Sequence, residues 1–252
     1  MNRCVSRLII SSAFVITFGA ASPVIASPYY LSGKAGMSLN HLSEQSGHVN
    51  IDDSNLWLGQ GNQNKPSFIG AIAGGYDFRT DYDIPVRTEL EYASRSQFRH
   101  SGNRQFQADD GDAVTASKAD KYSIQTLMLN AYYDFYNGSN FTPYVSVGLG
   151  LARIKQHADA SVWLNDDTTD NLLLYSSSNK NKFAWSVGAG TDWRITDNLS
   201  TDISYRYLNM GTVSTRQTAQ FDDEEDSIGS AEYSTHARLN THEFLLGLRY
   251  IF

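Results

Sequence analysis

The chain has 252 residues, 27 acidic against 20 basic, and a single cysteine, Cys4. A formal net charge of -7 argues against general nucleic-acid affinity, and one cysteine excludes an internal disulfide. Fifteen tyrosines, 12 phenylalanines and 19 glycines with only five prolines fit a strand-rich chain.

Arg3 and Arg7 precede an apolar stretch over residues 8–21, followed by Pro23 and small residues at Val24 and Ala26, which predicts a secretory leader over residues 1–26 and a single domain over 27–252. The apolar stretch is short for a membrane span and is interrupted by Ser11, Ser12, Thr17 and Gly19. Removal of the leader takes Cys4, Arg3 and Arg7, leaving 18 basic residues against 27 acidic ones and a formal net charge of -9. No later apolar run approaches the length of a membrane helix, so any crossing must be made by closed strands that satisfy their own backbone groups.

Eight segments alternate with period two over about the length that spans a bilayer. The first, residues 29–39, sets Leu31, Gly33, Ala35, Met37 and Leu39 against Ser32, Lys34 and Ser38. The second, 67–78, is Gly-rich and ambiguous in facing. The third, 85–96, sets Val86, Thr88, Leu90 and Tyr92 against Arg87, Glu89, Glu91 and Arg95. The fourth, 124–135, opposes Leu127, Leu129, Ala131, Tyr133 and Phe135 to Thr126, Asn130, Tyr132 and Asp134. In the fifth, 142–154, Val145, Val147, Leu149 and Leu151 oppose Tyr144, Ser146, Gly148 and Gly150. The sixth, 183–195, puts Phe183, Trp185, Val187 and Trp193 opposite Ser186, Gly188, Gly190 and Asp192. The seventh, 199–208, has Ile203, Tyr205 and Tyr207 against Asp202, Ser204 and Arg206. The eighth, 241–252, lines up Phe244, Leu246, Leu248, Tyr250 and Phe252 against Glu243, Gly247 and Arg249.

Connections alternate in length. Short ones fall at 79–84, 136–141 and 196–198, the second with an Asn137-Gly138 turn, and long ones at 40–66, 97–123, 155–182 and 209–240. Short turns at one end and long loops at the other describe an all-β, eight-stranded antiparallel transmembrane barrel with four extracellular loops. A soluble barrel would bury the apolar face instead. Lys34, Arg87, Glu89, Glu91, Asp202, Arg206, Glu243 and Arg249 are expected to face one another inside, filling the lumen and fixing strand register through charge-assisted hydrogen bonds. Glu89 and Glu91 do not read as a catalytic dyad, because neighbouring arginines would hold both ionised.

The segments VRTELEY at 86–92, LNAYYDF at 129–135, TPYVSVGLGLARI at 142–154 and the terminal GLRYIF resemble the opacity-protein class of eight-stranded outer-membrane barrels. Within that class the chain is most similar to the Tia and Hek invasins and adhesins of enteric bacteria. The resemblance covers the barrel and hardly touches the loops. It implies attachment to host cells, often with autoaggregation, and binding of heparan sulfate proteoglycan or another surface receptor. Phe252 resembles the terminal aromatic read by the outer-membrane assembly machinery, and lipid and lipopolysaccharide are the implied surroundings.

Binding must reside in the loops. In the second, Arg95, Arg99, His100 and Arg104 at the exit from the third strand would meet Lys118 and Lys121 if the loop folds back as a ribbon, giving a cationic patch suited to sulfates and carboxylates. Asp109, Asp110, Asp112 and Asp120 oppose it. Trp57 in the first loop and Trp163 in the third, each with apolar neighbours, are candidate receptor contacts. The acidic run at 222–226 lacks the alternate spacing and turn glycine of a calcium loop, and no metal or cofactor is expected. Catalysis by an outer-membrane enzyme acting on lipid A or peptides, or a barrel without a ligand, are the alternatives. His41, His48, His100, His157, His236 and His242 are dispersed, and His242 and Glu243, as strand neighbours, face opposite ways.

Overall fold

A computed structural model describes residues 27–51, 54–60, 63–107, 113–164, 171–222 and 228–252; the expected leader lies outside them. Ten strands are present among the described residues: β1 Tyr29–Ile51, β2 Ser54–Gln60, β3 Gln63–Asp77, β4 Val86–Arg95, β5 Phe98–Gln107, β6 Ala113–Asp134, β7 Phe141–Leu164, β8 Asn171–Arg194, β9 Leu199–Asp222 and β10 Ile228–Ile251. One helix, α1 Phe78–Tyr82, follows β3. The wall runs β1-β3-β4-β6-β7-β8-β9-β10, every neighbouring pair is antiparallel, and β10 pairs back onto β1, so the sheet closes on eight strands. β2 continues β3 along β1, with Gln45 opposite Gln60 and Leu42 opposite Gln63. In the same way β5 continues β4 along β6.

No described helix is long and apolar enough to cross a membrane; the crossing is made by the wall. Its outward residues match the expected parity, with Leu31, Leu90, Leu129, Val147, Leu149, Ile203, Leu246 and Leu248 all exposed. The ambiguous second segment resolves with Phe68 and Ile72 outward and Ile69, Ala71 and Ala73 buried. Aromatic rings mark both edges of this apolar belt. Tyr29 meets Tyr76 and Phe141 stacks on Trp193 near the short turns, while Trp185, Tyr207, Tyr205, His242 and Phe244 cluster at the other rim.

Two expectations change. The long connections are largely strand: β7, β8, β9 and β10 each run 24 residues, about 80 Å at the usual rise, far beyond what a bilayer needs. Backbone pairing does not require an apolar face, so the ladder continues after the lipid-facing pattern stops. The short connection expected at 79–84 also contains structure, because Asp77 accepts a bond from the Arg79 amide and starts the single turn of α1, and Asp83 ends it in the left-handed conformation.

The lumen is not polar throughout. Towards the outer rim Ile124, Met128, Ala152, Ile154, Ala184, Leu208, Met210 and Leu239 form one buried apolar cluster, and Ile69, Ala71, Ala93 and Leu245 form another. Charged and neutral polar side chains fill the remainder.

Candidate functional site

Inside the barrel, each ionic side chain sits where strand alternation turns it inward. Near the short turns Arg87 donates two bonds to Asp134 at 2.6 and 2.8 Å, and Arg249 lies 3.0 Å from Asp192, which also accepts from Ser200. At mid-height Lys34 Nζ reaches Glu89 at 2.6 Å, Glu91 at 2.9 Å and the Tyr132 hydroxyl at 2.9 Å, while Tyr132 donates to Glu89. Arg206 bridges Glu91 and Glu243 at 2.6 and 2.7 Å, and Arg95 Nε donates to Glu243 at 2.7 Å. Tyr144 donates to Asp202. Above Glu243, Ser38, Asn40, Ser67 and Thr241 form a neutral hydrogen-bonded layer.

The strands can come this close because glycine faces the bulkiest partners. A Cβ on Gly247 would lie 2.0 Å from Asp202 Oδ1, and one on Gly190 would lie 2.6 Å from the Tyr144 ring. A cavity of about 10 Å³ lies among Lys34, Arg87, Asp192, Asp202 and Arg249, room for about one water molecule and too little for a hydrated-ion path. The alternation of opposite charges makes this arrangement a scaffold: each side chain is held by partners on other strands. In the short turn after β6, burial and the Asp134 and Asp77 carboxylates push the Tyr136 phenol above its ordinary range, opposed by the Arg79 guanidinium stacked 3.7 Å from its ring centre.

The expected interior residues Lys34, Arg87, Glu89, Glu91, Asp202, Arg206, Glu243 and Arg249 are all in this network. Asp134, Asp192, Tyr132 and Tyr144, not among the expected charged residues, join it from the inward face of their strands. Arg95 is corrected. Grouped with the loop cations, it is instead buried in the lumen on Glu243 and Thr126, because its odd parity on β4 continues that of Arg87, Glu89 and Glu91.

The second loop does return as a ribbon, with β5 antiparallel to β6. Arg99 stands directly opposite Lys121, and Lys121 directly opposite His157 on β7, a basic row across three strands. His100 is opposite Asp120, Lys118 opposite Gly102, and Arg104 opposite Ala116. Strand alternation therefore separates Arg99 and Lys121 from His100, Arg104 and Lys118 by parity, and the six expected cations do not form one group. Trp57 is paired with His48, and Trp163 with Thr115 and Asn171. Of the acidic run, Asp222 ends β9, and Asp223 to Asp226 lie outside the described residues.

Among the described residues no group of three His, Cys, Asp or Glu side chains could hold a metal ion. His242 meets the Tyr205 hydroxyl at 2.7 Å on the outer wall, and His41 bonds Asn64; neither contact is with a carboxylate. Phe252 lies on the outer wall beside Tyr250, its amide bonded to the Tyr29 carbonyl.

Residues 10–252 match the family model for the outer membrane protein beta-barrel domain. The chain belongs to that family. Its place is therefore the bacterial outer membrane. An outer membrane protein of Salmonella typhimurium, PagN, is 33% identical over 233 residues, covering 88% of this chain and 89% of its own length. A Rickettsia conorii protein named as a candidate adhesin is 22% identical, covering 95% of this chain and 88% of its own. Among solved structures, Neisserial surface protein A shares 18% identity over 90% of this chain and 99% of its own, with a TM-score of 0.48. In this outer-membrane family the short turns face the periplasm and the ribbons face outward.

Proposed function

We propose that this barrel is an adhesin or invasin that attaches the bacterium to host cells through sulfated glycosaminoglycans, with Arg99 and Lys121 on the second ribbon as the principal contacts. The observation that carries the reading is the row in which Arg99, Lys121 and His157 stand directly opposite one another, because it concentrates positive charge on an acidic chain at a surface-exposed place. The relative named as a candidate adhesin and the Tia-like and Hek-like barrel segments support the same class. Arg104, Lys118 and His100 supply a second, weaker group on the other parity of the ribbon, opposed by Asp120. Trp57 and Trp163 are proposed contacts for a protein receptor or for a second bacterium's copy, the route to autoaggregation. Phe252 is proposed as the residue read by the assembly machinery.

The lumen network serves this function indirectly, by holding the ribbon bases on a stiff wall. The reading is tested by expressing the chain in a non-adherent bacterial host and scoring attachment to cultured cells with and without surface glycosaminoglycans. Attachment is expected only to cells that carry them. Equal attachment to both cell types would overturn the glycosaminoglycan assignment.

A further inference from the structure

On β7 the outward residues Phe141, Val145, Val147, Leu149 and Leu151 are exposed and apolar, and the next two outward residues are Arg153 and Lys155. The eleven residues from Phe141 to Leu151 make about 33 Å of strand, or about 25 Å normal to the membrane at the usual tilt, which is the height of an outer-membrane apolar band. Arg153 therefore stands about 5 Å above the lipid border, at the level of the headgroups, and Lys155 about one step higher. The belts of the two neighbouring strands stop at the same height: Leu127 on β6 gives way to Gln125, and Phe183 on β8 to Asn181.

The rows fix the chemistry. Gln125, Arg153 and Asn181 lie side by side, then Ser123, Lys155 and Asn179, then Lys121 and His157. Arg153 Nε donates to Asn179 Oδ1 at 3.0 Å, which orients the guanidinium along the wall. At these described outward positions on β6, β7 and β8 there is no carboxylate; the other side chains are amides and a hydroxyl. Elsewhere around the rim the outward residue next above the belt is neutral or imidazole, His41, Pro66, Ser94, Asn209 and Asn240, and one step higher β10 carries the exposed Arg238. β7 thus carries two successive outward cations just above the belt, inside a neutral hydrogen-bonding frame.

We infer that Arg153 and Lys155, framed by Gln125, Asn179 and Asn181, form a docking site for the phosphates of lipid A in the outer leaflet. Arginine gives a bidentate fork for phosphate and lysine a compact second charge. Depth selects the partner, because residues at headgroup level meet the phosphorylated sugar of the membrane's own glycolipid before any host polymer, while the Arg99 row, at a higher rung, meets the polymer. The two sites are separable by mutation.

The test uses the full chain refolded in detergent and native mass spectrometry with diphosphoryl lipid A, dephosphorylated lipid A or phosphatidylglycerol. Wild-type barrel is expected to retain diphosphoryl lipid A, and R153Q/K155Q to retain about tenfold less, with K155Q intermediate. R99A/R104A should retain the wild-type amount. Heat-modifiable gel migration establishes that each variant is folded; if the double variant does not fold, the K155Q comparison decides. Equal retention by wild type and the folded charge-removed variants would overturn the site, as would equal retention of dephosphorylated lipid A by wild type. Retention of phosphatidylglycerol matching that of lipid A would overturn the choice of lipid.

Discussion

Arg95 and Arg99 are four residues apart, at the end of β4 and the start of β5, and sit in opposite electrostatic worlds. Arg95 is sealed in the lumen against Glu243, whereas Arg99 stands opposite another cation, Lys121, outside the membrane. Inside, five cations (Lys34, Arg87, Arg95, Arg206, Arg249) are interleaved with six carboxylates (Glu89, Glu91, Asp134, Asp192, Asp202, Glu243), so the field closes on itself. On the ribbon base Arg99, Lys121 and His157 occupy successive positions of one backbone row. Charge paired across the lumen specifies the fold; the basic row of the ribbon is where the polyanion contact is proposed. The difference follows from position along the strand: at lumen depth a lone charge carries a desolvation cost that only a partner offsets, and above the rim water removes that cost.

The sharpest way to break the comparison is to unpair the lumen. Glu243→Gln leaves Arg95 without its anion and Arg206 with only Glu91, and is expected to destabilise the barrel by about 3–5 kcal/mol, read as a lower midpoint of denaturant unfolding in detergent. A midpoint equal to wild type would mean that the network does not hold the wall. Next in size is Gly150→Ala. Its Cβ would lie 2.1 Å from the Leu127 carbonyl oxygen of the adjacent strand, and a loss of about 1–3 kcal/mol is expected in the same assay. Gly33→Ala is its control: Gly33 faces outward with nothing within 4 Å, and its change should stay within about 0.5 kcal/mol.

Much of the barrel was legible in the sequence because one rule, inward or outward parity, applies along every wall strand. It placed Lys34, Arg87, Glu89, Glu91, Arg206 and Glu243 together although they are far apart in the chain. The same rule was sufficient for Asp134 and Asp192, and for Arg95, whose proximity to Arg99 in sequence suggested a shared role; a one-residue register shift against β6, from Ser94 opposite Gln125 to Phe98 opposite Tyr122, puts the two positions on opposite faces. The apolar outer lumen was hidden for a different reason. Where Ile124, Met128, Ile154 and Leu208 point inward, their neighbours Leu127, Leu151 and Tyr207 point to lipid, so both faces are apolar and the alternation that marks facing disappears. The ribbons were hidden because the apolar alternation stops where they begin, while the backbone ladder continues. Arg153 and Lys155 were read only as the end of a strand and the start of a loop; their meaning depends on the height at which the belt stops, which neighbouring strands establish.

The smallest and most informative effect concerns the ribbon row. Purified wild-type barrel and R99A/R104A, matched for heat-modifiable migration, are compared for retention on immobilised heparin as salt is raised. Exposed charge contacts are screened within about 8 Å at physiological ionic strength, so wild-type retention should fall steeply with salt, and the double variant should elute several steps earlier at every loading. Elution of R99A/R104A with wild type would contradict the assignment of polyanion binding to this ribbon.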